Sequence, residues 1–198
     1  MARTRTFDVE RCLEQATGVF WARGYTGTSI QDLVTQTGVE RGSLYAAFGG
    51  KRGIFLAALE AYDRDVRRHR LAQAERSSSP LRCIEKVFRN WVPELVDGDR
   101  RGCFLTNTAI ELAPHDPEVA EIVEKKQTEI EAFFVRKVRE AQAAGEVPED
   151  LDAVSAGAGL LASLLGMLVL ARSRPDRRLL ETVAEDALVR LPTPAGPR

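Results

Sequence analysis

Apolar positions recur along the chain at three- and four-residue intervals, and no run of β-branched residues alternates with period two. That pattern predicts an all-α fold of about nine helices. The first helix is expected from Phe7 to Arg23, with Cys12, Leu13, Ala16, Val19 and Phe20 as its apolar stripe and Gly24 as its stop. Residues 29–48 read as two short helices joined by a tight turn. Ile30, Leu33 and Val34 line one face, Gly38 permits the positive φ of the turn, and Leu44 and Phe48 return to the same small core. Thr28 and Ser29 are both candidate caps, since a short hydroxyl can accept an orphan backbone N–H.

After Gly49-Gly50, Lys51 opens a longer helix to about Arg76. Its inner stripe is Phe55, Ala58, Leu59, Tyr62 and Val66, and its charged run from Asp63 to Arg70 reads as a solvated face. SSSP, residues 77–80, marks a boundary and a helix start. Further helices are expected over about 81–96, with Pro93 kinking the end, and over 103–112, 117–144, 150–172 and 176–191. The stretch AGAGLLASLLGMLVLA, residues 156–171, is apolar nearly all round. It falls short of the roughly 20 residues that span a bilayer, so a buried helix is favoured over a membrane span. With the amphipathic last helix, it can supply a two-fold interface between two copies.

Composition narrows the function classes. Hydrophobic residues make up 44% and charged residues 29%, the balance of a globular chain. The net charge of −1 does not by itself indicate a nucleic-acid binder, but its distribution is uneven. The first 76 residues hold 12 basic and 9 acidic side chains, and the remainder is acidic on balance. Three separated cysteines offer neither a disulfide framework nor a metal-ligand spacing, so no cofactor is expected. No phosphate-binding loop, zinc-protease motif or nucleophile–base pair suggests an enzyme. No apolar leader opens the chain, which makes the cytoplasm the default compartment.

The second short helix carries the candidate chemistry. Arg41, Ser43, Tyr45 and Ala47 are left on its outer face, with bare backbone at Gly42 beside them. A short helix with a polar, partly basic face can enter a major groove, so one reading is a helix-turn-helix reader of double-stranded DNA. The other is a helical hairpin with a solvated face. Arg3 and Arg5, ahead of the first helix, form either a DNA-touching arm or a simple terminus.

The helix ending VFWARGYTGTSI, the turn TGVERGSLYAAF and Lys51 at the next helix start resemble the DNA-binding domain of the tetracycline-repressor (TetR) family. RGCFLTNTAIELAPHDPEV, residues 101–119, is similar to the effector domain of many such regulators. The resemblance implies a homodimeric transcription repressor, released from a palindromic operator by a small molecule that moves helix four. It implies a DNA-binding domain over 1–53, helix four over 51–76 as connector, and a ligand-binding and dimerisation domain over 77–198. Arg41, Gly42, Ser43 and Tyr45 match the operator-facing positions, and Thr28, Tyr45 and Lys51 match the usual phosphate contacts, with Ser29 beside Thr28. Two positions depart from the family pattern. Glu40 stands where a small or hydroxyl residue is common, and can accept from a cytosine N4 or cap the helix. Ala46-Ala47 replaces bulkier residues, leaving Ala47 to a thymine methyl.

The expected effector pocket lies among helices four to eight. Phe88, Trp91, Phe104, Phe133, Phe134 and Met167 are its candidate walls. Asn107, Thr108 and Glu111, three to four apart on one helix, are its candidate polar groups; plain core packing and a structural polar network are the competing readings. Cys103, at a helix start near Arg100 and Arg101, raises the alternative of a thiol sensor of oxidants or electrophiles. A helical ligand-binding protein that never touches DNA is a further alternative.

Overall fold

The computed structural model describes residues 7–191, so the Arg3/Arg5 arm and the terminal PTPAGPR lie outside the described residues. Among them the chain forms nine helical rods and no strand. Three short helices come first: α1 (Val9–Arg23), α2 (Ile30–Thr37) and α3 (Arg41–Phe48). The rod α4 runs from Lys51–Tyr62 through a π-helical segment, Asp63–Arg68, into His69–Glu75. A bent α5 follows as Pro80–Arg89 and Trp91–Asp97. The body is completed by α6 (Phe104–Glu111), α7 (Pro117–Ala143), α8 (Ala153–Ser173) and α9 (Arg177–Val189).

Local chemistry accounts for most boundaries. Asp8 caps α1 by accepting from the Arg11 N–H. Ser29 and Asp32 form a capping box on α2, each accepting from the other's backbone. Gly38 and Gly49 end α2 and α3 in the left-handed conformation, at φ 66° and 78°. Gly53 is required for a different reason. A Cβ there would lie 1.7 Å from the Phe48 carbonyl oxygen, so only hydrogen lets α4 start against the end of α3.

Two rods depart from the periodicity. α5 breaks at Asn90 rather than near its end, because Pro93 cannot donate to the Arg89 carbonyl and its ring crowds that group. In α4 the wider π turn advances the buried face by one residue. Val66, expected inside, is half-buried, while Asp63 and Arg67 are 2% and 4% exposed. The run 63–70 is therefore not one solvated face. Arg67 donates to Asp63 and to Glu129 on α7, and Lys126 donates to Asp63 at 2.6 Å. Burial pushes the Asp63 carboxyl up, but hydrogen bonds from Arg67 and Lys126 outweigh it and hold the group below its usual value.

One apolar core runs through the molecule without interruption at the end of α4. Aromatic rings carry it from the short helices into the body: Phe20 meets Phe55 at 5.3 Å, Phe55 meets Phe104 at 5.6 Å and Phe104 meets Tyr62 at 5.7 Å. α8 packs along α7 so closely that a Cβ on Gly157 would lie 2.4 Å from a Val135 methyl. At 21 residues α8 is longer than its apolar stretch, and by length and composition it is long enough to cross a membrane. Only a third of its apolar window is buried within the chain.

Candidate nucleic-acid interface and effector cavity

α3 is held by its inner side and leaves its outer side free. Leu44 is fully buried, while Arg41, Gly42, Tyr45, Ala46 and Ala47 are exposed and Ser43 is half-exposed. The Arg41 guanidinium lies over the Tyr45 ring at 5.6 Å, and the Lys51 ammonium over the Tyr25 ring at 4.1 Å. Among the described residues neither cation has an acidic partner. A Cβ on Gly42 would meet nothing within 4 Å, so the backbone there is open to close approach. Glu40 occupies the N-cap position of α3, yet its side chain makes no cap hydrogen bond; it stands exposed.

Thr28 does not fit its expected role. Its side chain is buried and its hydroxyl donates to the Gly24 carbonyl at 2.7 Å, where it ties the α1–α2 turn. Ser29 alone is the cap, and it remains exposed.

The polar trio on α6 does not converge on a pocket. Asn107 donates to the Arg101 carbonyl at 2.8 Å, and Thr108 donates to the Phe104 carbonyl of its own helix at 2.9 Å. Glu111 reaches the other way and accepts the backbone N–H groups of Tyr25 at 3.1 Å and Thr26 at 2.8 Å. It joins α6 to the loop before α2. At the opposite end Trp21 Nε1 donates to the Gly102 carbonyl at 3.1 Å, so both ends of α6 are tied to α1 or its following loop.

The enclosed cavity among α4–α8 is about 10 Å³, room for one water-sized group. Of the expected liners it includes Trp91 and Cys103. Phe88, Phe104, Phe134 and Met167 are fully buried core residues, and Phe133 packs against Phe134 at 5.6 Å. The polar liners are instead Tyr62, Arg67, Arg70, Thr106 and Gln127. Their spacing hid them: Arg67 and Arg70 sit in the run that 3.6 periodicity places outside, and Thr106 and Gln127 have no apolar pattern to mark them. The Asp63/Arg67 pair, four apart, was the one available signal.

The Cys103 thiol is buried and accepts a hydrogen bond from the Tyr62 hydroxyl at 3.4 Å. Burial, then the thiol beside it, push Tyr62 well above the ordinary tyrosine value, so its hydroxyl stays a donor. A covered thiol with a hydrogen-bond donor does not favour the sensor alternative.

The sequence model described as bacterial regulatory proteins, tetR family, matches residues 13–58, and the tetracyclin repressor-like C-terminal domain matches residues 80–186, more than half of the chain. The HTH-type transcriptional regulator YezE of Bacillus subtilis is 34% identical over 89% of this chain and 92% of its own length. The HTH-type transcriptional repressor ComR of Escherichia coli is 29% identical over 94% and 90%. The structure of a cysteine mutant of the TetR-family regulator CifR, complexed with 26-bp operator DNA, superposes with a TM-score of 0.86 at 30% identity, covering 96% of this chain and all of that one. Curated relatives are regulators of transcription, not enzymes. With an exposed α3 face, a helical body and both matches in register, the chain belongs to the TetR family of bacterial regulatory proteins.

Proposed function

We propose that the chain is a ligand-responsive repressor that binds a palindromic operator as a homodimer and is released by a small molecule held in its C-terminal body. The observation that carries the DNA-binding half is the outer face of α3: an Arg41 without an acidic partner among the described residues, the open backbone at Gly42, and Ser43, Tyr45 and Ala47 alongside. Arg41 is suited to bidentate contact with guanine O6 and N7, and Ala47 to a thymine methyl. Tyr45, Ser29 and Lys51 are suited to phosphates, Lys51 adding its charge to the positive end of the α4 dipole. Thr28 has no part in this reading. Glu40, without a cap to make, is available to a cytosine N4. The operator complex of CifR and the repressor ComR support the same reading.

Dimerisation rests on α8 and α9. α8 exposes Ala158, Ala162, Gly166 and Val169 along one face, and α9 leaves Val189 76% exposed. Small residues on an apolar helix allow a second helix to approach closely, and a two-fold axis uses the same patch twice. A reader of chromosomal DNA in this form works in the cytoplasm and needs no catalytic step.

The test is a gel shift with duplex from the region upstream of the protein's own reading frame, beside random duplex, over a range of salt. Selective binding, retained when salt weakens contact with random DNA, is the expected result. Equal affinity for both duplexes would overturn the reading.

A further inference from the structure

The cavity among α4–α8 contains a group with nothing to bond to. Thr106, 5% exposed, lines it, and its Oγ1 is buried with no hydrogen-bond partner among the described residues. A buried hydroxyl normally has one, and leaving it without one destabilises the empty protein. Thr106 stands in the first turn of α6, where Cys103 occupies the N-cap position and no side chain caps the N–H groups. That end of the helix carries partial positive charge.

The cations on the cavity wall differ in their freedom. Arg67 is committed to Asp63 and Glu129 inside the fold. Among the described residues Arg70 pairs with Glu94 alone, which is 56% exposed, and its guanidinium lies 5.3 Å over Trp91, itself a wall of the cavity. An ion pair to a solvated carboxylate is weak and readily exchanged. One cation held by a solvated carboxylate, one hydroxyl without a partner among the described residues and one uncapped helix start thus share a small cavity with apolar walls at Leu105 and Ile130.

We propose that this cavity receives a short-chain carboxylate, its two oxygens taken by Arg70 and the Thr106 hydroxyl at the start of α6, and its alkyl end by Leu105 and Ile130. The closed cavity has room for one water-sized group, so a carboxylate with an alkyl end of a few carbons enters only as Arg70 and the half-buried Gln127 move aside. The proposal rests on the reading of the chain as a ligand-responsive regulator and names the ligand class of that site.

The experiment compares propionate with its neutral isosteres propionamide and 1-propanol, against sodium chloride at equal ionic strength, on the full chain. The readout is the rise in thermal midpoint that a ligand of the folded state produces. Propionate is expected to raise the midpoint, and the two isosteres to bind at least about tenfold more weakly. Thr106→Val, which replaces the unpartnered hydroxyl with a methyl of the same shape, is expected to raise the midpoint of the empty protein and weaken propionate by about tenfold. Thr106→Ser restores a hydroxyl and is expected to recover binding. Arg70→Gln is expected to abolish the preference for the acid over the amide. No midpoint rise with propionate, equal response to acid and amide, or a Thr106→Val protein that binds propionate like the parent would each overturn the proposal. Gel shifts on ligand-free protein are scored separately. Selective DNA binding alongside failure with propionate removes the carboxylate and leaves the regulator; loss of selectivity in ligand-free protein removes the regulator, whatever propionate does.

Discussion

Arg41 and Arg67 are the same residue type on helices 26 positions apart, and they live in opposite surroundings. Arg41 is exposed, lies against Tyr45 and has no acidic partner among the described residues. Arg67 is 4% exposed and held by Asp63 and Glu129. A charge left solvated and unpaired costs the fold little and remains available to a partner. A charge drawn inside must be matched, and its match becomes part of what holds α4 to α7. The polar groups of this molecule therefore divide into those that serve recognition and those that serve the frame, and burial with pairing, not residue type, separates them.

The comparison breaks most visibly at Asp63. Asp63→Ala takes from Arg67 and Lys126 the carboxylate they share and leaves them Glu129 and Glu60, so a loss of about 3 kcal/mol, the lower end for a broken buried pair, is expected. Urea unfolding measures it; a loss under about 1 kcal/mol shows that the cluster is not a structural pair. The pH dependence has a definite sign. A carboxyl held below its unfolded value stabilises fully above roughly pH 4 and loses that contribution as pH falls through the folded value. Glu75, Asp116 and Glu140 are also lowered, by Arg136, Arg52 and Lys137 respectively as the leading causes, so Asp63→Ala should remove only part of the acid sensitivity.

Arg41→Ala is the converse. Stability is expected to change by no more than about 0.5 kcal/mol, while preference for operator over random duplex falls by about 1–3 kcal/mol. Lys51→Ala should weaken both duplexes alike and flatten the salt dependence. Competition gel shifts decide between them; parallel losses on operator and random DNA for Arg41→Ala remove it from base reading.

Glu111 tests the join between the two regions. Glu111→Ala gives up a carboxylate that accepts two backbone N–H groups, and a destabilisation of about 1.5–3 kcal/mol is expected. Hydrogen exchange at Tyr25 and Thr26 should accelerate while amides of α8 do not. Unchanged exchange at both amides rules out the tether.

The smallest effect has the opposite sign. Gly42→Ala meets open space, and alanine is the better helix former, so thermal unfolding should show a gain of about 0.5–1 kcal/mol. Operator affinity is expected to fall if the backbone there approaches DNA. A stable variant with parental affinity leaves no role for that close approach.

The reading head was legible because its signals are local. Ser29 before Ile30, Gly38 at the turn, Leu44 four before Phe48 and the Gly49-Gly50 break each act within a few residues, and each stands where local chemistry predicts. Thr28 was ambiguous for the same reason: two adjacent hydroxyls offer the same cap, and only the path of α1 shows that one turns inward to Gly24. The effector side was less legible. Large aromatics mark an apolar interior, but they do not say which of them border a space; Phe88, Phe104, Phe134 and Met167 fill the core completely.

By itself, the order of residues determined the helices, the turn between α2 and α3 and the exposed character of Arg41, Tyr45 and Ala47, because periodicity, caps and glycine conformations depend on neighbours along the chain. The tertiary structure alone decided that a π turn brings Arg67 rather than Val66 inside, that Glu111 serves Tyr25 and Thr26 rather than a pocket, and that Thr106 faces a cavity without a partner. Those outcomes depend on residues far apart in the sequence meeting in space, as Asp63 meets Lys126, and no local pattern records which distant group will be there.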